Sequence, residues 1–125
     1  MTKEWFIHII KTYPKAYYRC LYHFRDHYPK EWKELMRDPD QLIEFFAGYR
    51  IPIKIDEEYY PQWEESKFKF TINGKFKLES RFEFKKITHA KWAGIEFAFM
   101  VMSFEIRQFE KKRIVSYSGV KRRRK

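Results

Sequence analysis

The amino-acid sequence predicts an α+β fold, in which N-terminal helices pack on one face of a C-terminal antiparallel sheet of about four to five strands. Apolar residues recur at helical spacing in the first half of the chain, and several of these stretches begin at a proline. After Gly48, apolar and polar residues alternate, and an Asn-Gly pair at 73–74 lies between two alternating runs, as in a β-hairpin. The 125 residues suffice for one domain, which we place at 1–120.

Four helices are predicted in the first half of the chain, at residues 3–11, 14–28, 29–37 and 39–47. The first of these segments fits a strand almost as well, and we favour the helix. The last is the best defined, because Asp38 can cap it, Pro39 suits a first turn that needs no backbone donor, and Gly48 can end it.

The strands begin after the last helix, with a short edge strand at 51–55 that contains a proline. A hairpin follows at 67–84. A two-residue turn there would place aromatic rings opposite charged side chains, so we predict a three-residue loop at 72–74 with its glycine in the left-handed conformation. Thr71 then pairs with Lys75, the phenylalanines share the core face, and the lysines share the outer face.

The segment 92–110 has two interpretations. It is rich in strand-forming residues that partly alternate, but apolar residues also recur in it at helical spacing, at Trp92, Ile95, Phe99, Met102, Ile106 and Phe109. We favour a long central strand covered on both faces, with a helix as the alternative. A turn and a last strand are expected in 110–119.

The formal net charge of +10 is concentrated near the C-terminus. Residues 107–125 hold nine basic side chains and one acid. The last five residues, 121–125, are all cations, and we expect them to form a disordered basic tail that becomes ordered only against a polyanion. Charged residues make up 35% of the chain and amides are few, which is the compositional direction of thermophile proteins.

These charges predict a small basic protein that binds DNA or RNA electrostatically, without catalytic activity or cofactor. The predicted contacts are on the outer face of the hairpin and in the C-terminal segment: Lys67, Lys69, Lys75, Lys77, Arg81, Lys85, Lys111, Lys112, Arg113, Lys121, Arg122, Arg123, Arg124 and Lys125. The simpler interpretation is a solvated strand that resists aggregation and a tail that aids solubility. Aromatic side chains that could stack on bases are expected to be exposed at Tyr59, Tyr60, Trp63 and Tyr117.

The first alternative is a structural or assembly protein. Aromatic residues make up 21% of the chain, and rings left over from the core could fill the interface of a homodimer or larger homo-oligomer.

Two weaker alternatives involve metal ions. Cys20, His23 and His27 lie at helical spacing and could bind a metal together with His8 or His89. A metal-dependent nuclease would use Glu83 and Lys85 in a Glu-x-Lys pattern, with Asp56 as second carboxylate. Such patterns occur by chance in a chain so rich in Lys and Glu, and we predict no metal site.

Other classes find no support in the sequence. The longest apolar run, 97–102, is far shorter than the roughly 20 residues that cross a bilayer, so no membrane partner is predicted. The single cysteine and the absence of a leader pattern indicate a soluble intracellular protein. There is no glycine-rich phosphate loop and no Gly-x-Ser-x-Gly motif.

Overall fold

The computed structural model describes residues 1–75 and 77–123, and from residue 113 onward it describes the backbone alone. The elements are α1 (Lys3–Thr12), α2 (Pro14–His27), α3 (Trp32–Leu35), α4 (Pro39–Gly48), β1 (Ile53–Tyr60), β2 (Glu65–Asn73), β3 (Lys77–Glu79) and α5 (Ile87–Arg123). They form an α+β fold, as predicted.

The helical first half follows the sequence closely. Thr2 caps α1 by accepting a hydrogen bond from the Trp5 amide at 3.3 Å, and Asp38 caps α4 by accepting one from the Asp40 amide at 3.0 Å. The third helix is shorter than predicted. Gly48 is the last residue of α4, as predicted, but the left-handed residue that closes the helix is Arg50.

The sheet contains three antiparallel strands in the order β1-β2-β3 over the described residues, fewer than the predicted four to five. The strand predicted at 51–55 lies at 53–60 and is therefore longer than predicted. Beyond β3, Phe84 makes one further bridge to Phe68.

The predicted hairpin register is wrong. Thr71 pairs with Glu79 rather than with Lys75, Ile72 pairs with Leu78, and Gly74 does not have a positive φ. The cause is the side chain of Ile72, which is fully buried. A three-residue loop at 72–74 would remove this residue from the strand and lose about 2 kcal/mol of apolar burial.

The favoured interpretation of 92–110 as a central strand is wrong, and the last strand expected after it is also absent, because the whole segment belongs to α5. The apolar residues at helical spacing decide the outcome: Trp92, Ile95, Phe99, Met102 and Ile106 are all buried. Phe97, which a doubly covered strand would bury, is exposed. Burial of one continuous stripe therefore outweighs the strand preference of the individual residues.

Helix α5 lies between the other helices and the sheet. It contacts α2 and α4 on one side and β1 and β2 on the other, so the N-terminal helices do not form the main cover of the sheet. Phe99 meets Phe46 of α4 edge to face at 4.9 Å, and the ring of Phe97 lies 5.3 Å from Phe70 of β2. Lys15 of α2 and Glu110 form an ion pair at 2.6 Å.

Gly94 is where α5 comes closest to the sheet. A Cβ atom added at this position would lie 2.8 Å from Ile53 Cγ2 and 3.3 Å from Phe70 Cβ. The helix therefore rests directly on one face of the sheet, and the other face of the sheet carries the polar side chains of each strand.

None of the helices in the described part of the chain is both long and apolar enough to cross a membrane.

Candidate functional site

The outer face of the sheet carries the lysines of the predicted basic ribbon, but it carries carboxylates as well. The register of β1 on β2 places Asp56 opposite Lys69 and Glu58 opposite Lys67. Cross-strand partners point to the same side of a sheet, so each of these lysines has an acidic neighbour. The acidic strand β1 was not considered in the sequence analysis as a partner of the hairpin.

Further contacts neutralise the same face. Lys69 lies 3.8 Å from a Glu83 oxygen, and Lys77 lies 3.2 Å from Glu79. The ammonium of Lys67 sits 5.4 Å from the ring centre of Tyr60 and 5.5 Å from that of Trp63. Surface pairs of this kind add little stability, but they leave the outer face nearly neutral.

A cleft of about 930 Å³ opens at the end of the sheet where β1 begins and β2 ends. Three segments line it, namely the α4–β1 connection, the tip of the hairpin, and the second half of α5. The lining residues are Ala47, Tyr49, Arg50, Pro52, Asn73, Gly74, Lys75, Phe104, Glu105, Gln108, Phe109 and Lys112. Two of them, Lys75 and Lys112, belong to the predicted nucleic-acid contacts and come from different parts of the chain.

The α4–β1 side of the cleft is built by the end of helix α4. The Arg50 amide donates to the Ala47 carbonyl at 3.1 Å, and the Ile51 amide donates to the Phe46 carbonyl at 2.9 Å. This is the Schellman arrangement, which needs a left-handed residue and usually takes glycine. Here Arg50 occupies that position with a φ of 63°, so a charged side chain is placed at the cleft despite the backbone strain.

The hairpin tip is held against this connection. The Asn73 amide donates to the Pro52 carbonyl at 3.2 Å. Gly74 lies so close to Arg50 that an added Cβ would be 3.3 Å from the Arg50 carbonyl oxygen. The hairpin tip, which includes Lys75, therefore lies close to the backbone at Arg50.

The α5 side of the cleft is one face of the helix. Glu105, Gln108, Phe109 and Lys112 recur at steps of three and four residues, so all four side chains face the cleft. Phe109 is 66% exposed although it is a large apolar residue.

The cations of the cleft differ from those of the outer sheet face in their ion pairs. Among the residues whose side chains are described, no ion pair involves Arg50, Lys75 or Lys112. Glu110, the single acid of the C-terminal basic segment, is paired with Lys15. Glu105 is the one carboxylate among the described residues that line the cleft, and these residues are net positive.

The remaining predicted contacts are spread over the molecule. Arg81 and Lys85 are exposed on the segment that follows β3. Lys111 is exposed on α5, next to a cleft residue. The side chain of Arg113 and those of the predicted tail, 121–125, lie outside the described residues.

The structure does not assemble the metal candidates into a site. Cys20 is fully buried, with its Sγ 3.8 Å from the Met36 sulfur, and burial strongly raises the pKa of its thiol. His8 lies near Glu96, at 3.5 Å, and His89 is exposed. No group of three or more Cys, His, Asp and Glu side chains is arranged to hold a metal ion in the part of the chain that the structure describes.

His23 and His27 do lie side by side, with ring centres 4.5 Å apart. His27 Nδ1 is 2.8 Å from the His23 carbonyl oxygen, and His23 also packs on the ring of Phe45. Burial lowers the pKa of His23, the neighbouring His27 lowers it further, and Asp26 acts in the opposite direction. His23 is therefore part of the packing between α2 and α4.

The carboxylate of the predicted nuclease pattern is already engaged. Both oxygens of Glu83 lie 3.0 Å from the Tyr60 hydroxyl, which donates to them. This hydrogen bond is the main cause that raises the pKa of Tyr60 to about 12. Asp56 lies 3.5 Å from Lys54, and Lys85 is exposed.

The sequence predicted only some of the exposed aromatic side chains correctly. Tyr59 and Trp63 are exposed as predicted, Tyr60 is half-buried, and the side chain of Tyr117 lies outside the described residues. Arg50 and Phe109 were missed as site residues. The sequence contained a weak signal for Arg50. The predicted helix ends in Gly-Tyr-Arg, and the left-handed position after such a helix can fall on a residue other than glycine.

No family model, curated protein sequence or solved structure significantly matches this chain.

Proposed function

We propose that this protein binds nucleic acid, without catalysing a reaction on it, and that the cleft between the hairpin tip and α5 is the centre of the binding surface. The observation that supports this most directly is that Arg50, Lys75 and Lys112 surround one concave site and form no ion pair with any carboxylate whose side chain the structure describes. They come from three separate segments of the chain.

The charge of the cleft fits a phosphate backbone. Lysine and arginine side chains release counterions from the nucleic acid when they neutralise phosphates, and arginine can bind a phosphate with two donors. A lysine that already faces a carboxylate contributes less to the affinity for phosphate, because binding a phosphate disrupts the existing ion pair. The unpaired cations of the cleft should therefore contribute more to affinity than the paired lysines on the outer face of the sheet.

The neighbouring part of α5 extends the same surface. Arg107 and Lys111 are exposed beside the cleft residues, and the basic residues beyond them continue along the chain. Binding to this surface should not depend on the base sequence, since phosphate contacts carry no sequence information by themselves.

Salt dependence provides the test. We expect a labelled oligonucleotide to bind the full chain with an affinity that falls between about 50 and 200 mM salt, with a log–log slope of about −2 or steeper for three phosphate contacts on a single strand. An affinity that is independent of salt, or no binding at low salt, would contradict the proposal.

A gain-of-affinity variant makes this test specific to the cleft. Glu105→Gln removes a carboxylate from the cleft lining and should raise affinity by about two- to fourfold at about 0.15 M salt. Glu31→Gln changes the net charge equally at an exposed position outside the cleft and should have a smaller effect. Equal effects of the two variants would mean that only net charge matters.

A second proposal is self-association, which the exposed aromatic surface of α2 favours. Tyr18 and Tyr22 are exposed and stack on each other at 6.0 Å. Exposed tyrosines on a helix face are typical of interface residues. Light scattering over a concentration series tests it: a stable dimer that is lost in the variant Tyr18→Ser/Tyr22→Ser would support this proposal, and a monomer at all concentrations would contradict it.

A further inference from the structure

The exposed ring of Phe109 adds a feature to the cleft that phosphate binding does not need. The side chain is 66% exposed and lies one helical turn from Lys112, on the face of α5 that lines the cleft. Covering this ring would be favourable, because it removes apolar surface from water. A ligand that covers this ring would gain affinity in this way.

The surroundings of the ring restrict the kind of ligand. Arg50 and Lys75 approach from the other side of the cleft, and the amides of Asn73 and Gln108 supply both donors and acceptors. A flat apolar ring bordered by cations and amides is complementary to a nucleobase that is still attached to its phosphates. Phosphate alone would use the cations and leave the ring uncovered.

The strandedness of the nucleic acid follows from the same geometry. In a duplex, both faces of each base are covered by its neighbours, so a ring that lines a cleft has no base face to stack on. A single strand can present an unstacked base, and stacking on aromatic side chains is how many proteins bind single strands without sequence preference.

We infer that the cleft selects single-stranded nucleic acid, with a base stacked on Phe109 and the adjacent phosphates held by Arg50, Lys75 and Lys112. This inference rests on the proposed function, because it specifies the form of nucleic acid that the same cleft binds. Phe109 sets the preference for single strands, and the cations set the overall affinity.

The test compares three polyanions on the full chain: a short labelled oligothymidylate, a duplex of the same length, and inorganic polyphosphate as a competitor without bases. Phe109→Ala should weaken binding of the single strand by roughly 5- to 150-fold, the range for one stacked base. It should leave the duplex and polyphosphate affinities unchanged, and Phe109→Tyr should retain tight binding because it keeps a ring.

Phe82→Ala is the matched control. Phe82 is 74% exposed and does not line the cleft, so its loss should not change any of the three affinities. Thermal unfolding of each variant confirms that the comparison is made on folded protein.

The outcomes separate the two proposals. Binding of all three polyanions with no preference for the single strand would overturn the inference about Phe109 and leave the proposed function standing. An equal loss of oligothymidylate and polyphosphate binding in Phe109→Ala would also overturn it, because the ring would then not be stacking on a base. Absence of binding to any of the three would overturn the proposed function as well.

Discussion

The outer face of the sheet and the cleft at its end contain similar numbers of lysines and arginines, yet they differ in electrostatic character. On the sheet face, Lys67 and Lys69 lie opposite carboxylates of β1. At the cleft, Lys75 and Lys112 have no ion-pair partner among the described side chains. The comparison shows that the number of cations does not define a polyanion site. What defines it is the number of cations that the fold leaves without a neutralising neighbour.

The largest expected effect is a loss of oligonucleotide affinity when three charges are removed from the cleft, compared with the removal of three charges from the outer face of the sheet. The triple variant Arg50→Gln/Lys75→Gln/Lys112→Gln should weaken oligonucleotide binding by roughly 50-fold at about 0.15 M salt, because each phosphate contact of a single strand contributes about fourfold there.

The matched variant on the sheet face, Lys67→Gln/Lys69→Gln/Lys77→Gln, loses the same charge and should weaken binding by less than about threefold. Anisotropy titrations at several salt concentrations measure both. Equal losses in the two variants would remove the distinction between the regions.

The second expected effect concerns the helix that covers one face of the sheet and forms one wall of the cleft. Gly94→Ala should reduce the free energy of unfolding by about 1 to 3 kcal/mol, since the added methyl would lie 2.8 Å from Ile53. Gly48→Ala is the control, because an added Cβ there meets nothing within 4 Å. It should stabilise the protein by about 0.5 to 1 kcal/mol. Urea denaturation measures both, and an unaffected Gly94→Ala would contradict the close packing of α5 on the sheet.

The third expected effect is a change of stability and of binding in opposite directions, produced by one substitution in the cleft. Arg50→Gly should raise the free energy of unfolding by about 0.5 to 1 kcal/mol, because glycine adopts the left-handed conformation without strain. It should also weaken oligonucleotide binding by about fourfold.

Glu64→Gly is the control for this variant. Glu64 also has a positive φ, of 46°, and does not line the cleft. A gain in stability without a loss of affinity is expected there. If Arg50→Gly bound as tightly as the original chain, Arg50 would not belong to the binding surface.

The smallest effect comes from His23, whose pKa is lowered in the folded protein, first by partial burial of the ring and then by the neighbouring His27. Because the folded state lowers the pKa of His23, the unfolded chain binds protons more readily. The stability of the protein should therefore fall as the pH drops through about 6.5. His23→Gln should reduce this dependence, and an unchanged dependence in this variant would contradict the assignment to His23. Thermal unfolding between about pH 7.5 and 5.5 provides the measurement.

The local signals of the sequence predicted the four helices of the first half of the chain, although α3 is shorter than predicted. The proline and Asp38 at the start of α4 act on the adjacent backbone alone, so their effect could be predicted without knowledge of the fold. The α+β class followed from the same signals. The basic character of the C-terminal segment is likewise a property of the sequence, and its role in binding is a proposal.

The tertiary structure decided the rest. Whether 92–110 forms a helix depended on what buries Phe99 and Ile95, and the register of the hairpin depended on what buries Ile72. Local preference favoured a strand and a short loop, and burial against distant residues outweighed it.

The candidate site depended on the fold in the same way. The sequence determined that the chain carries an excess of cations. Only the pairing of β1 with β2 decided that the lysines of the hairpin would face carboxylates, and only the packing of α5 beside the hairpin tip brought Lys75 and Lys112 to one cleft. Charges neutralise each other when they lie within a few ångströms in space. Residues that are distant in the sequence come that close only when the chain folds.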